Sequence, residues 1–264
     1  MSNTLTSFRG KKSPTIFRTA VITMLTVLIT SAFSGANWFA YFNETEDRLN
    51  VSHADDQLTG MSCLTATNYF LPRAEDFRCR DQDKITVRLG GPKSKATARI
   101  CPSAKAEAVM QGSLQIVRGE QRYIYRYNGS SERVNSGCAT TTGAAGVCLT
   151  PYIHVAADPR HHRMGDILRI PQLKGVLVPH PDGGLMPHPG YVIVADTGGA
   201  IKGENRFDFF IGEMAWDSPR NPFGPAGLAM TDDRHCILGF KKIRGDSSMA
   251  GYVQAGINEL LKSP

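Results

Sequence analysis

The chain has 264 residues, 41% of them hydrophobic, with 26 Gly and 15 Pro. That composition excludes a disordered or fibrous polymer and points to one elaborated domain or two small ones, built from strands and turns rather than as a helical bundle. The formal charge of +6 gives nucleic-acid binding little support, because the first 36 residues hold Arg9, Lys11, Lys12 and Arg18 with no acid, leaving 26 basic against 24 acidic residues beyond them.

Residues 1–36 join that basic start to an apolar stretch over 20–33 and the small residues Ser34, Gly35 and Ala36, the plan of a secretory signal peptide. Two outcomes stay open. The short apolar core favours cleavage, whereas Trp38, Phe39, Tyr41 and Phe42 extend it as the interfacial belt of a retained inner-membrane anchor. Residues 37–60 are polar and acidic, with Glu44, Glu46, Asp47, Asp55 and Asp56, and read as a linker. A folded domain is expected over 61–245, followed by a tail over 246–264.

Strands are expected at 63–70, 85–89, 108–117 and 122–127, with turns at Gly90-Gly91-Pro92, Gly119-Glu120 and Asn128-Gly129. The last three make a small β-rich section inserted at about 73–150. Its alternating Tyr123, Tyr125 and Tyr127 share a strand face, as a sugar-stacking row or as a cross-strand ladder. Further strands are expected at 152–157, 167–170, 191–195, 207–211 and 237–243. Only 253–262 reads as helix, with Ile257, Leu260 and Leu261 on one side.

Six cysteines, Cys63, Cys79, Cys101, Cys138, Cys148 and Cys236, lie beyond the leader and lack paired zinc spacing. In an exported chain they read as disulfides. Spacing alone does not fix the connectivity; the expected pairs are Cys138 with Cys148, Cys79 with Cys101, and Cys63 with Cys236. His154, His161, His162, His180 and His188 crowd one third of the chain, but none forms a metallopeptidase helix motif. No metal is expected.

The most informative run is Ala195-Asp196-Thr197-Gly198-Gly199-Ala200-Ile201-Lys202-Gly203, continued by Arg206-Phe207-Asp208. It sets two carboxylates around a glycine-rich turn after a β-type stretch, where Gly198, Gly199 and Gly203 let the backbone approach a ligand. A capped structural turn answers the same pattern. Lys202 binds substrate, pairs with a carboxylate or is merely solvated. Asp158 is a substrate ligand or a turn aspartate before Pro159.

This run resembles the signature of the three-aspartate domain and of the lytic transglycosylase A family. Two other places are similar to the same families: Thr65-Ala66-Thr67-Asn68-Tyr69-Phe70, and Met110-Gln111-Gly112-Ser113 with Tyr127-Asn128-Gly129. Asp158-Pro159 and Gly165 recur in the family's order, although Arg160-His161-His162-Arg163-Met164 replaces an Ile-Pro-Leu-Gly-like stretch. The resemblance implies a mainly β fold, a six-stranded double-psi β-barrel. It implies a peptidoglycan lytic transglycosylase that cleaves the MurNAc-β-1,4-GlcNAc bond and forms 1,6-anhydro-MurNAc. Asp208 would be the general acid and base and Asp196 its partner, with Asp158, Lys202, Gly198, Gly199, Thr67, Tyr69, Gln111 and Ser113 about the glycan. No cofactor is implied, and the implied location is the periplasm or cell envelope. The rival reading is a non-catalytic module that binds or loosens peptidoglycan.

Overall fold

The first described residues form both ends of the main sheet. The computed structural model describes residues 62–134, 138, 140–215, 217–223 and 239–262; the leader, the linker and Cys236 lie outside them. Strands β1 (Ser62–Cys63) and β2 (Thr65–Tyr69) are separated only by Leu64. There follow β3 (Ile85–Arg88), β4 (Thr97–Ile100), α1 (Pro102–Gln111), β5 (Ser113–Arg118), β6 (Gln121–Arg126) and β7 (Ser131–Arg133). The second half holds β8 (His154–Ala157), β9 (Ile167–Arg169), β10 (Leu177–Pro179), β11 (Leu185–Pro187), β12 (Tyr191–Asp196), β13 (Arg206–Phe210), β14 (Gly239–Ile243) and α2 (Ser248–Leu260).

The main sheet runs β1-β14-β9-β12-β8-β13-β2. Because β1 and β2 are consecutive stretches of one run yet pair with opposite ends of this order, the sheet curls back on itself. The fold is mainly β, with a nearly closed, barrel-like sheet, the arrangement that removes exposed strand edges. Alternation along β13 divides its faces. Phe207 and Phe209 are fully buried, and Phe207 meets Phe240 of the non-neighbouring strand β14 at 5.1 Å between ring centroids. That face is therefore the enclosed one. Asp208 and Phe210 belong to the opposite face.

Residues between β2 and β8 build a smaller lobe over that opposite face, from the β5-β6-β7 sheet, the β3-β4 pair and α1. Leu89, Ile100, Ala104, Ala108, Leu114, Ile116, Tyr123 and Tyr125 form its core. Tyr123 and Tyr125 are thus packing residues, and Tyr127 alone of the three remains open, 65% exposed. The expected strand at 108–117 is corrected: α1 occupies its first part and β5 its second. Pro102 preorganises the first turn of α1, Ala104 and Ala108 bury one face four residues apart, and Gly112 at φ 85° ends the helix. The tail helix starts earlier than expected, where the Ser247 hydroxyl caps it by accepting from Ala250 N at 3.1 Å.

Cys79–Cys101 and Cys138–Cys148 are bonded as expected. Cys63 is also disulfide-bonded, but its expected partner lies outside the described residues. No helix among the described residues is long and apolar enough to cross a membrane.

Candidate active site

Strand register brings the two acids of the glycine-rich run onto one face. Asp208 in β13 stands opposite Ala156 of β8, and Asp196 in β12 stands opposite the same alanine from the other side. The latter pairing exists because the β12–β8 register shifts between Val194 and Asp196. This bulge at Ala195 turns Asp196 to the side that Ala156 shares, as bulges re-aim single side chains. Two strand spacings separate the acids, about 10 Å between their Cα atoms. The small Ala156 side chain between them leaves an open floor.

Above that floor lies a groove of about 840 Å³. Asp196, Asp208, Tyr69 and Ala156 contribute to its base; Gln111, Ser113, Arg126 and Tyr127 line it from the lobe; Thr141 to Ala144 and Thr197 to Ile201 form the rest of its wall. Exposed Met110 and Tyr127 give the lobe side an apolar rim.

The two carboxylates have opposite surroundings. Asp196 is held by donors: Tyr69 Oη donates to Oδ2 at 3.0 Å, while Ala144 N and Thr197 N each donate to Oδ1 at 2.9 Å. A carboxyl group accepting three hydrogen bonds is fixed in position and in aim. Asp208 Oδ1 is buried with no hydrogen-bond partner among the described residues. Burial pushes the Asp208 carboxyl up to about 6; the Thr67 hydroxyl and the Arg206 guanidinium oppose that rise, and the charge of Asp196 adds to it. Burial also holds the Tyr69 hydroxyl well above its ordinary value, assisted by Asp196, so it remains a donor.

The other expected site residues divide into two sets. Thr67 stands opposite Asp208 across the β2–β13 pair. Gln111 lines the groove while its amide accepts from Phe70 N at 3.1 Å and donates to Glu107 at 3.0 Å. Ser113 is a buried groove residue. Gly198 and Gly199 shape the turn, where Ile201 N donates to Gly198 O at 3.1 Å; a Cβ at Gly198 would lie 2.7 Å from Ile201 Cγ1.

Asp158 and Lys202 are not among the groove residues. The Asp158 side chain is buried and accepts from Arg160 through both carboxylate oxygens, with Nη2 to Oδ2 at 2.6 Å, and from Gly203 N at 2.9 Å. The Arg160 hydrogen bonds, followed by that of Gly203, hold it well below the usual carboxylate range. Asp158 thereby pins Gly203, at φ 96°, where the glycine-rich run turns back toward β13. Lys202 is exposed. Among the histidines, buried His188 is a packing residue: its Nε2 donates to Tyr152 O at 2.8 Å and its Nδ1 accepts from Gly190 N at 3.0 Å. Desolvation lowers it to about 4.

Sequence reasoning missed Ala156, Arg126 and the 141–144 wall. An alanine at a strand centre and a backbone N–H carry no residue signature, so only register and tertiary contact reveal them.

No curated protein matches the chain. Among solved structures it is similar to Escherichia coli MltA with bound chitohexaose, at 16% identity and TM-score 0.40, covering 68% of this chain and 71% of that one. It is also similar to a membrane-bound lytic murein transglycosylase from Agrobacterium tumefaciens, at 14% identity and TM-score 0.41, covering 68% and 73%. The lytic transglycosylase LtgG of Burkholderia pseudomallei gives 16% identity and TM-score 0.36, covering 67% and 70%. Residues 153–217, which include Asp158, Asp196, Lys202 and Asp208, match the family model of the 3D domain.

Proposed function

We propose that the protein is a peptidoglycan lytic transglycosylase that cleaves the MurNAc-β-1,4-GlcNAc bond, with Asp208 as its general acid and base. One observation carries the reading: a groove holds one carboxyl whose burial raises it toward neutrality beside a second that is fixed by three donors. Environments that push two acids apart are how acid and base roles are assigned at a single pH. The 3D domain match over 153–217 spans both acids, and the sequence resemblance extends to Tyr69 and Gln111.

In this mechanism the protonated Asp208 carboxyl donates to the glycosidic oxygen as the bond to the muramyl C1 breaks. The charge of Asp196 stabilises the oxocarbenium-like positive charge that develops. Asp208, now a carboxylate, removes the proton of the muramyl C6 hydroxyl, whose oxygen bonds to C1 and closes the 1,6-anhydro ring. The proton returns to the carboxyl that gave it, and no water is consumed. Thr67, Tyr69, Gln111, Ser113, Gly198 and Gly199 line or support the glycan path; Asp158 acts through the Gly203 turn. The sheet is the six-stranded double-psi barrel in this reading, with β1 and β2 as one strand, and the leader exports the chain to the cell envelope.

Incubation with purified sacculi tests it. The wild type is expected to release anhydro-muropeptides seen by mass spectrometry, and Asp208→Asn to release about 10² to 10⁴-fold fewer while still pelleting with sacculi. Equal release by both would remove Asp208 from its role. Binding without release by either would leave a non-catalytic module.

A further inference from the structure

The wall at 141–144 does more than bound the groove. Two of the donors to Asp196 come from outside its own strand end: Tyr69 from β2 and Ala144 N from this wall, at 2.9 Å. The wall is a tight hairpin. Gly146 N donates to Gly143 O and Gly143 N to Val147 O, both at 3.0 Å, and the Cys138–Cys148 bond closes its base. It is fitted to the bulge that aims Asp196, since Ala145 N donates to Ala195 O at 3.1 Å. The fit has no slack at Gly143, where a Cβ would lie 2.5 Å from Ala195 O and 2.7 Å from Leu149 Cδ2. Arg126 of the lobe donates to Thr142 O at 3.2 Å and so ties the hairpin to the groove's other side.

We propose that this hairpin is a positioning clamp for the Asp196 carboxylate, with Gly143 permitting its close approach and the Ala144 N–H delivering the hold. The consequence for turnover rests on the lytic reading; the clamp itself does not. A clamp of this kind keeps the charge aimed across Ala156, where the substrate's positive charge develops, so that no reorientation is needed during reaction.

The hairpin geometry offers a clean test. The Gly146 N to Gly143 O bond makes Ala144 the second residue of a β-turn, a position that proline suits. Ala144→Pro therefore keeps the turn, removes the donated hydrogen and sets the ring Cδ where that hydrogen met Asp196 Oδ1, displacing the carboxylate; Ala144→Gly keeps the N–H. Two double-mutant cycles pair Ala144→Pro with Asp196→Ala in the full chain, one read by urea denaturation and one by anhydro-muropeptide release from sacculi. Expected are a measurable stability coupling, a fall in kcat of about tenfold or more with KM little changed for Ala144→Pro, recovery in Ala144→Gly, and no added loss on top of Asp196→Ala. Absence of stability coupling, or an equal loss in the Asp196→Ala background, would overturn the clamp. A stability coupling in a wild-type chain that releases nothing would support the clamp and sink the lytic reading. If Ala144→Pro failed to fold, Gly143→Ala read in the same two cycles would decide the matter by the same outcomes.

Discussion

Replacing Asp208 with asparagine is expected to stabilise the protein near neutral pH while it removes turnover. The folded protein holds this carboxyl at about 6 against an ordinary 3.8, chiefly by burial. The sign is opposite to that of a salt-bridged aspartate. Below its unfolded value the group is protonated in both states and costs nothing; as pH rises toward about 6 the unfolded chain ionises first, and stability is lost until the folded group has also ionised. At about 1.4 kcal/mol per pH unit, the raised value corresponds to about 3 kcal/mol of destabilisation above neutrality. Asparagine cannot ionise and escapes that cost, although its amide hydrogens bring their own desolvation cost of about 1–3 kcal/mol. That cost is independent of pH. The quantity to measure is therefore the change in the stability difference between variant and parent, by urea denaturation at about pH 4 and about pH 7.5, which should be about 2–3 kcal/mol in the variant's favour at the higher pH. His154 and His188, both lowered to about 4 by burial, titrate in the same window but are common to the two proteins and cancel. A difference that stays constant across the two pH values would refute the buried, raised carboxyl and with it the choice of Asp208 as the acid.

Turnover should follow the same group. Because the reaction begins with protonated Asp208, kcat/KM should fall about tenfold per unit as pH rises above about 6, and Asp196→Asn, which removes a charge that raises Asp208, should move that descent to lower pH; a flat profile between about pH 5 and 8 would contradict this. The Cys79–Cys101 bond closes 22 residues of the lobe, so Cys79→Ala/Cys101→Ala should lower stability by about 3 kcal/mol in denaturation. An unchanged midpoint would show that the lobe core holds without it.

Much of this arrangement is legible in the residues, and the reasons for the remainder are physical. The acids are legible because a glycine-rich turn joins two apolar β-runs that each carry one of them; that β8 lies between the two strands is not. The two described disulfides are among the expected pairs, although spacing alone does not fix the connectivity. Helix α1 was missed because the apolar run from Ala108 to Val117 bridges a helix end and a strand, although Pro102 and Gly112 marked both helix ends. Lys202 and Asp158 drew attention through charge, yet Arg160, a residue in the stretch that departs from the family pattern, takes the Asp158 carboxylate into an ion pair. The Ala195 bulge and the Ala144 donor left no trace in residue type, since each is a property of register and backbone. Tyr127 differs from Tyr123 and Tyr125 only by lying past the end of β6, and that is enough to leave it in the groove instead of the core.

The most direct measurement digests sacculi with the wild type in water enriched in oxygen-18 and weighs the released muropeptides. Ring closure by the substrate's own C6 hydroxyl predicts anhydro products with no heavy oxygen, formed by the wild type and lost in Asp208→Asn. Reducing-end products carrying heavy oxygen would show that water attacks, and would contradict the proposal that Asp208 passes one proton from the muramyl hydroxyl to the leaving sugar.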